Sequence, residues 1–192
     1  MSGGERLDVT DLACRRGGRT VFEHLSFALA PGGALLVSGP NGAGKSSLLR
    51  LLAGLLSPAA GAIANPFATA WLGHDNALKS ERRLRDELRF WAAIDGVDAD
   101  RVDAALDRFA LAPLAALPVR VLSSGQKRRA ALARTWASGA RLWLLDEPSV
   151  GLDVANVARL SDAMREHRAA GGLVVATSHV DIGLGDAAEL AL

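Results

Sequence analysis

The sequence has a single cysteine and no long apolar run. Because Cys14 is alone among the 192 residues, a disulfide framework or a cysteine-based zinc site within one chain is excluded. No uninterrupted apolar run approaches the roughly eighteen residues of a membrane-spanning helix, and the start of the sequence has no apolar signal core. If the protein acts at a membrane, we therefore expect another subunit to hold it there.

Excess charge of one sign is also lacking. The 22 Lys and Arg residues nearly balance 21 Asp and Glu, which gives a net charge of +1. Composition alone therefore predicts neither a nucleic acid-binding protein nor a polyanion. An apolar fraction of 49% in 192 residues predicts one domain, residues 1–192, with enough apolar side chains for a core.

The most informative motif matches G-x-x-x-x-G-K-[ST], the pattern of phosphate-binding loops. A strand-like apolar run precedes it at 34–38, and an apolar run typical of a helix follows at 47–52. Backbone N–H groups in such a loop point at phosphate oxygens, and the helix N-terminus adds the positive end of its dipole. The alternative, a glycine-rich turn before a helix, explains less of this context. The loop and the next residue are Gly39, Pro40, Asn41, Gly42, Ala43, Gly44, Lys45, Ser46 and Ser47.

Two residues of the loop have expected roles of their own. Lys45 would reach the β- and γ-phosphates of a nucleotide, and the Ser46 hydroxyl would bind Mg²⁺. A second motif, at the end of an apolar run at 142–145, supplies Asp146 and Glu147. A carboxylate at the carboxyl end of a strand, beside a phosphate loop, is well placed to hold Mg²⁺ through water, and we assign this role to Asp146. Glu147 would accept a proton from the attacking water or orient it; the alternative is a capped strand end.

The remaining pattern predicts an α/β core interrupted by helices. Strands are expected at 7–12 and 20–29 with a turn at 15–19, then near 67–72, 141–145 and 173–177. The helix after the phosphate loop is expected to end near residue 56, where Ser57-Pro58 follows. Further helices are expected at 82–94, 98–111, 126–136 and 154–168. We therefore predict a mainly parallel core sheet with an N-terminal antiparallel β subdomain (1–74 and 138–192) and a helical subdomain at about 75–137.

A third motif, Leu122-Ser123-Ser124-Gly125-Gln126, precedes one of these helices. Alone it is typical of a helix N-cap. Beside the two nucleotide motifs it resembles the signature L-S-G-G-Q of ATP-binding cassette (ABC) ATPases, with Ser124 in place of the first glycine. In that family the signature of one subunit covers the γ-phosphate bound by the other. The resemblance therefore implies a P-loop NTPase of the ABC-ATPase type, with ATP and Mg²⁺ as cofactors, two composite sites in a dimer, and donors at Ser123 and Gly125.

Two later segments resemble the family in the same order. Residues 149–153, ending in Asp153, resemble the D-loop that lies along the dimer seam, and residues 177–179 resemble the switch segment whose histidine, here His179, contacts the γ-phosphate. Two elements depart from the pattern. Asp75 stands where the Q-loop glutamine is expected, and its carboxylate would meet Mg²⁺ or its water. Residues 15–19 lack the aromatic side chain that stacks on adenine, although Arg16 could stack there by its guanidinium plane.

Within the ABC ATPases, residues 72–79, 87–91 and 176–184 are similar to the ATPase subunits of bacterial cytochrome c maturation exporters. That resemblance implies a peripheral subunit on the cytoplasmic face of the bacterial inner membrane, without a C-terminal regulatory domain. Its partners would be a second copy of itself and a multi-spanning permease of the cytochrome c maturation protein B type, docked around residues 74–88, and no nucleic acid. ATP hydrolysis would drive haem export or release of a haem chaperone. The alternatives are another ABC exporter, a soluble ABC ATPase acting on nucleic acid or ribosomes, and a non-hydrolysing nucleotide switch.

Overall fold

Two β-sheets organise the computed structural model, which describes residues 5–192. The first sheet is antiparallel and has the strand order β2-β1-β4. Its strands are β1 (Leu7–Arg16), β2 (Arg19–Leu29) and β4 (Ala60–Ala64). The buried residues of β1 recur at every second position on each side of an irregularity at residues 10–11, and they face the core.

The second sheet is parallel and has the order β5-β6-β7-β3-β8. Its strands are β3 (Ala34–Ser38), β5 (Thr69–Leu72), β6 (Leu142–Asp146), β7 (Leu173–Thr177) and β8 (Ala188–Ala191). Every residue of β6 and β7 is buried, because helices or strands cover both faces of the sheet. The carboxyl ends of β3, β6 and β7 meet at one edge, where α/β proteins bind their ligands.

Five α-helices complete the described part of the chain: α1 (Lys45–Leu52), α2 (Leu84–Asp95), α3 (Ala99–Arg108), α4 (Ser124–Ala137) and α5 (Val154–Ala169). One apolar cluster joins α1 and the antiparallel sheet to one face of the parallel sheet. The other cluster packs helices α2, α3, α4 and α5 against the opposite face of that sheet. None of these helices is long and apolar enough to cross a bilayer.

The observed elements agree with the predicted fold class, but several predicted bounds were wrong. The turn between β1 and β2 is confined to Gly17 and Gly18 instead of 15–19. Helix α1 ends at Leu52 rather than near residue 56, because a Schellman motif closes it: the Leu55 N–H donates to Arg50 O (2.9 Å) and the Gly54 N–H donates to Leu51 O (3.0 Å). Strands β4 and β8 were not predicted. Helices α2, α3 and α4 all fall within the range expected for the helical subdomain, and the division into subdomains stays a prediction.

Candidate nucleotide site

A cavity of about 500 Å³ opens at the carboxyl edge of the parallel sheet. It brings together residues that the sequence places more than a hundred positions apart. The predicted site residues among those that line it are Asn41, Gly42, Gly44, Lys45, Ser46, Ser47, Asp146, Glu147 and His179. The phosphate loop, the two carboxylates at the end of β6 and the histidine after β7 therefore face one space, as expected for a nucleotide site.

The phosphate loop joins β3 to the first turn of α1. Gly44 occupies the N-cap position of α1 with φ of 111°, a conformation that a residue with a Cβ rarely adopts. The Lys45 ammonium donates to the carbonyls of Gly39 (2.7 Å) and Pro40 (3.1 Å), so it lies across the mouth of the loop. The loop, the helix N-terminus and this ammonium together form a positive surface suited to phosphate.

Asp146 and Glu147 are held by a buried threonine on the neighbouring strand. Thr177 pairs with Asp146 in the register of β6 and β7 and is 0% exposed. Its hydroxyl donates to Asp146 Oδ1 (2.9 Å) and accepts from the Glu147 N–H (2.9 Å). One hydroxyl therefore fixes the carboxylate of one acid and the backbone of the next.

Glu147 has a strained backbone. Its φ is +48°, in the left-handed region, where a non-glycine residue costs about 1–3 kcal/mol and persists only if its surroundings impose it. The Thr177 hydroxyl binds the N–H of Glu147, and Arg128 Nη2 donates to its carbonyl at 2.7 Å. Contacts on both sides of the residue thus stabilise a conformation that its own chemistry disfavours.

The strained backbone directs the Glu147 side chain into the cavity, next to His179. His179 Nε2 lies 3.3 Å from Glu147 Oε1, an ion pair when the histidine is protonated. The two groups are not aligned for a hydrogen bond, and within residues 5–192 the buried Oε1 has no hydrogen-bond partner. A carboxylate oxygen held in a cavity without a fixed donor is suited to accept a proton from a water molecule.

The signature residues lie at the N-terminus of α4, outside the cavity lining of their own chain. Ser123 is the N-cap: its Oγ accepts from the Gln126 N–H (3.2 Å), and the Gln126 side chain accepts from the Ser123 N–H (2.8 Å). This reciprocal pair is a capping box. The motif thus has the capping role that it would have in any protein, and the backbone of Ser124 and Gly125 stays at the exposed helix end.

The segments resembling the signature and the D-loop contact each other. A Cβ added at Gly125 would lie 2.7 Å from Gly151 O, so glycine is required for this close approach. Asp153, the last residue of the segment that resembles the D-loop, is the N-cap of α5. Its side chain accepts a hydrogen bond from the Asn156 N–H (2.9 Å). Asp153 does not line the cavity of its own chain.

The sequence analysis did not identify His74 and Arg128 as residues of the nucleotide site. It also expected Asp75 to be a metal ligand, and the structure places that residue outside the cavity. His74 lines the cavity, whereas Asp75, the third expected metal ligand, is exposed and outside the lining.

Arg128 is buried, and burial lowers the pKa of its guanidinium while the carboxylates of Asp146 and Glu147 oppose that shift. A signal for Arg128 was present, since it shares the helical spacing of the buried residues Ala131, Leu132 and Thr135. Arg16 also lines the cavity, at the side of the β1–β2 hairpin.

Comparison with known proteins decides the family. The sequence model of the family described as "ABC transporter" matches residues 22–150. The chain is 54% identical to the cytochrome c biogenesis ATP-binding export protein CcmA of Rhodospirillum rubrum, over 95% of this chain and 83% of that protein. It is 53% identical to the protein of the same name in Sphingopyxis alaskensis, over 97% and 96%. The chain belongs to the CcmA family of ABC ATPases.

CcmA-family membership confirms the predicted fold class and enzyme class. A solved ABC transporter ATP-binding protein from Pyrococcus furiosus superposes with a TM-score of 0.86 over 98% of both chains; at 24% identity this supports the fold alone. As an ABC ATPase, the chain binds nucleotide and hydrolyses ATP. The roles assigned to individual residues of the cavity stay predictions.

Proposed function

We propose that this chain is the ATP-hydrolysing subunit of a bacterial ABC transporter for cytochrome c biogenesis. Hydrolysis is coupled to haem export or to release of a haem chaperone from a membrane complex. The observation that carries this proposal is the 53–54% identity to CcmA proteins along almost the whole chain, together with a cavity that holds the phosphate loop, Glu147 and His179.

The chain's own residues divide the work of binding ATP. Lys45 and the loop N–H groups hold the phosphates, and the Lys45 ammonium is already at the loop mouth through its bonds to Gly39 and Pro40. Ser46 and Asp146 would hold Mg²⁺, whose positive charge offsets that of the phosphates. Their hydroxyl and carboxylate oxygens fit this ion, which in phosphate sites takes only one or two protein ligands.

Glu147 and His179 act on the water and the γ-phosphate. Glu147 Oε1 orients the attacking water and accepts its proton, because it is held in the cavity without a fixed donor. His179 contacts the γ-phosphate and reports its presence, while its Nε2 stays 3.3 Å from that carboxylate in this structure. Loss of the γ-phosphate then releases the switch segment, as in other nucleotide switches.

A second copy of the chain completes each site. Ser123 and the backbone around Gly125 lie at the N-terminus of α4, a position that attracts anions, yet they are outside the cavity of their own chain. In a head-to-tail dimer, the opposing α4 would cover the γ-phosphate with these donors. Asp153 and the segment before it would lie along the seam.

The membrane partner docks in the groove between the parallel sheet and the helical insert. A second cavity there, of about 350 Å³, is lined by Trp71, Trp91 and Arg134 among others. On α2 beside it, Phe90 and Ile94 are exposed, and Arg82 lies over the Phe90 ring. Asp95 also lines this cavity, beside Arg134, so the rim carries both charges. An apolar face with such a rim fits a cytoplasmic helix of the permease that presents apolar and polar side chains. This docking would hold the chain as a peripheral subunit on the cytoplasmic side of the inner membrane.

The test is complementation of a bacterium that lacks its own CcmA-type ATPase but retains the matching permease. Wild-type protein should restore haem-bound cytochrome c, measured by haem staining. Glu147→Gln should bind ATP and form a stable dimer but release no phosphate, and should not restore cytochrome c. Hydrolysis by this variant at the wild-type rate would remove Glu147 from its proposed role. An active wild-type ATPase that restores no cytochrome c would instead favour another ABC exporter.

Docking is tested by a matched pair of surface variants. Ile94 and Leu55 are exposed to similar extents, 60% and 63%, but only Ile94 lies beside the proposed groove. Ile94→Glu should reduce co-purification with the permease, whereas Leu55→Glu should not. Equal retention of both variants would place the docking surface elsewhere.

A further inference from the structure

Arg128 lies on the buried face of α4, four residues after the first residue of that helix. Its side chain connects α4 to the end of β6 and to the loop after β5. We propose that Arg128 is a positioning residue that holds Glu147 in its hydrolytic conformation and ties it to the loop after β5. This inference rests on the proposed role of Glu147 in hydrolysis. Arg128 is 5% exposed and does not line the cavity, so it would act through Glu147 and not on the nucleotide directly.

The guanidinium of Arg128 makes hydrogen bonds in two directions. Towards the end of β6, Nη2 donates to the carbonyls of Asp146 and Glu147 (both 2.7 Å), and Nε donates to Pro148 O (3.3 Å). Towards the loop after β5, Nη1 donates to Gly73 O (2.8 Å) and Asn76 Oδ1 (3.3 Å). A planar group with donors on both sides is required for this arrangement, which is the geometry of arginine and not of lysine.

These bonds act on the peptide that bears the strain. Glu147 has a φ of +48°, and such a conformation is kept only where surrounding contacts impose it. Arg128 binds its carbonyl while Thr177 binds its N–H. Without the arginine, the peptide would be free to return towards an ordinary conformation, which would turn the carboxylate away from its place beside His179.

The same guanidinium connects hydrolysis to the loop between Trp71 and Ala77, two residues that line the proposed permease groove. Residues 73–76 lead directly from β5 towards α2, and His74 in this loop lines the nucleotide cavity. A movement of this loop pulls on Arg128 and therefore on Glu147. A route of this kind does not depend on Asp75, which is exposed and outside the cavity.

The test compares Arg128→Lys with Arg129→Lys in the full-length chain. Arg129 is the matched control, because it is the next residue of α4 and donates to two carbonyls, Phe109 (2.8 Å) and Ala110 (2.9 Å), away from the cavity. Arg128→Lys keeps the charge and loses the two-sided contacts, so kcat should fall by about ten- to a hundredfold, as expected when a reacting group is misplaced by about 1 Å. ATP affinity should stay within about threefold, because the phosphate loop is untouched. Arg129→Lys should change kcat by less than about twofold.

Two further measurements separate positioning from a general loss of structure. In nucleotide-free protein, Arg128→Lys should speed amide hydrogen exchange at residues 73–76 and at Asp146 and Glu147, but not in the phosphate loop. In a Glu147→Gln background, where hydrolysis is already removed, Arg128→Lys should leave ATP-dependent dimerisation unchanged. If Arg128→Lys does not fold, Asn76→Ala removes one loop contact only and should lower kcat about two- to fivefold at unchanged ATP affinity.

Three results would overturn the proposal: a wild-type kcat in Arg128→Lys, unchanged exchange at both segments, or a loss of ATP affinity as large as the loss of kcat. The last result would make Arg128 a structural residue of the whole site. Failure of the cytochrome c role is distinguishable, because it would leave the purified chain's ATPase dependent on Arg128 while complementation fails.

Discussion

Thr177→Val is expected to destabilise the fold far more than its conservative chemistry suggests. The substitution keeps the shape of the side chain but removes a hydroxyl that is 0% exposed and makes two hydrogen bonds of 2.9 Å. The bond to the Asp146 carboxylate is worth about 1.5–3 kcal/mol, and the bond from the Glu147 N–H about 1 kcal/mol. The expected loss in the free energy of unfolding is therefore about 3 kcal/mol, or a fall in Tm of roughly 6–12 °C for a chain of this size.

Thr135→Val is the matched control for this prediction. Thr135 is also buried, at 2% exposure, but its hydroxyl donates only to Ala131 O, a carbonyl of its own helix (3.2 Å). That carbonyl keeps its helical partner, so the loss should be below about 1 kcal/mol. Urea and thermal unfolding of both variants, followed by circular dichroism, measure the difference. Equal destabilisation would refute the reasoning, because it would show that the link between Asp146 and Glu147 contributes nothing beyond burial.

Three other predictions follow from the surroundings of single residues. Asp75→Asn should lower kcat by less than about twofold, measured by phosphate release, because the side chain is outside the cavity. Gly125→Ala should cost about 1–3 kcal/mol in thermal unfolding, since its Cβ would lie 2.7 Å from Gly151 O. Burial lowers the pKa of His167 below its ordinary 6.5, so as the pH falls below about 6.5 the unfolded chain takes up a proton first and stability declines. His167→Phe keeps a ring stacked on Trp143 and should remove this decline in Tm between pH 7.5 and 5.5.

Each of these predictions has a comparison that could contradict it. His74→Asn changes a residue that lines the cavity, so it should lower kcat more than Asp75→Asn, and the reverse order would make the acid the functional residue. Gly185→Ala adds a Cβ in open space and should be near neutral in the same unfolding assay. If His167→Phe and the wild type lose Tm in parallel on acidification, His167 is not the group that titrates.

The sequence predicted the centre of the fold well because its signals are local. The runs 142–145 and 173–176 are apolar throughout, and a strand buried on both faces needs that composition. Strands β4 and β8 have little such signal: β4 is mostly alanine and glycine, and it exists because Asp8 and Val9 of β1 pair with its residues 64 and 63. Pairing across more than fifty positions is not written in the composition of the strand itself.

The candidate site also has one part that the sequence predicts and another that it does not. Convergence of the phosphate loop with Asp146 and Glu147 follows from the rule that carboxyl ends of parallel strands share one edge, and it could be predicted. Whether His74 or Asp75 faces the cavity depends on the conformation of an irregular loop, which no periodicity fixes. The reach of Arg128 to five oxygens depends on how α4 packs against the end of β6 and the loop after β5, and only its burial had a sequence signal.

The hydrogen bonds at the start of α4 explain why the proposed site needs a second copy. A helix leaves its first N–H groups without partners inside the helix. The capping box pairs the N–H groups of Ser123 and Gln126. In these bonds the Ser123 hydroxyl oxygen only accepts. The Ser123 hydroxyl proton and the N–H groups of Ser124 and Gly125 therefore remain for an external anion. The chain's own cavity has a lysine and two carboxylates but none of these donors in its lining. Each copy thus has donors outside its own cavity, and the proposed head-to-tail pair would bring them to the γ-phosphate of the other.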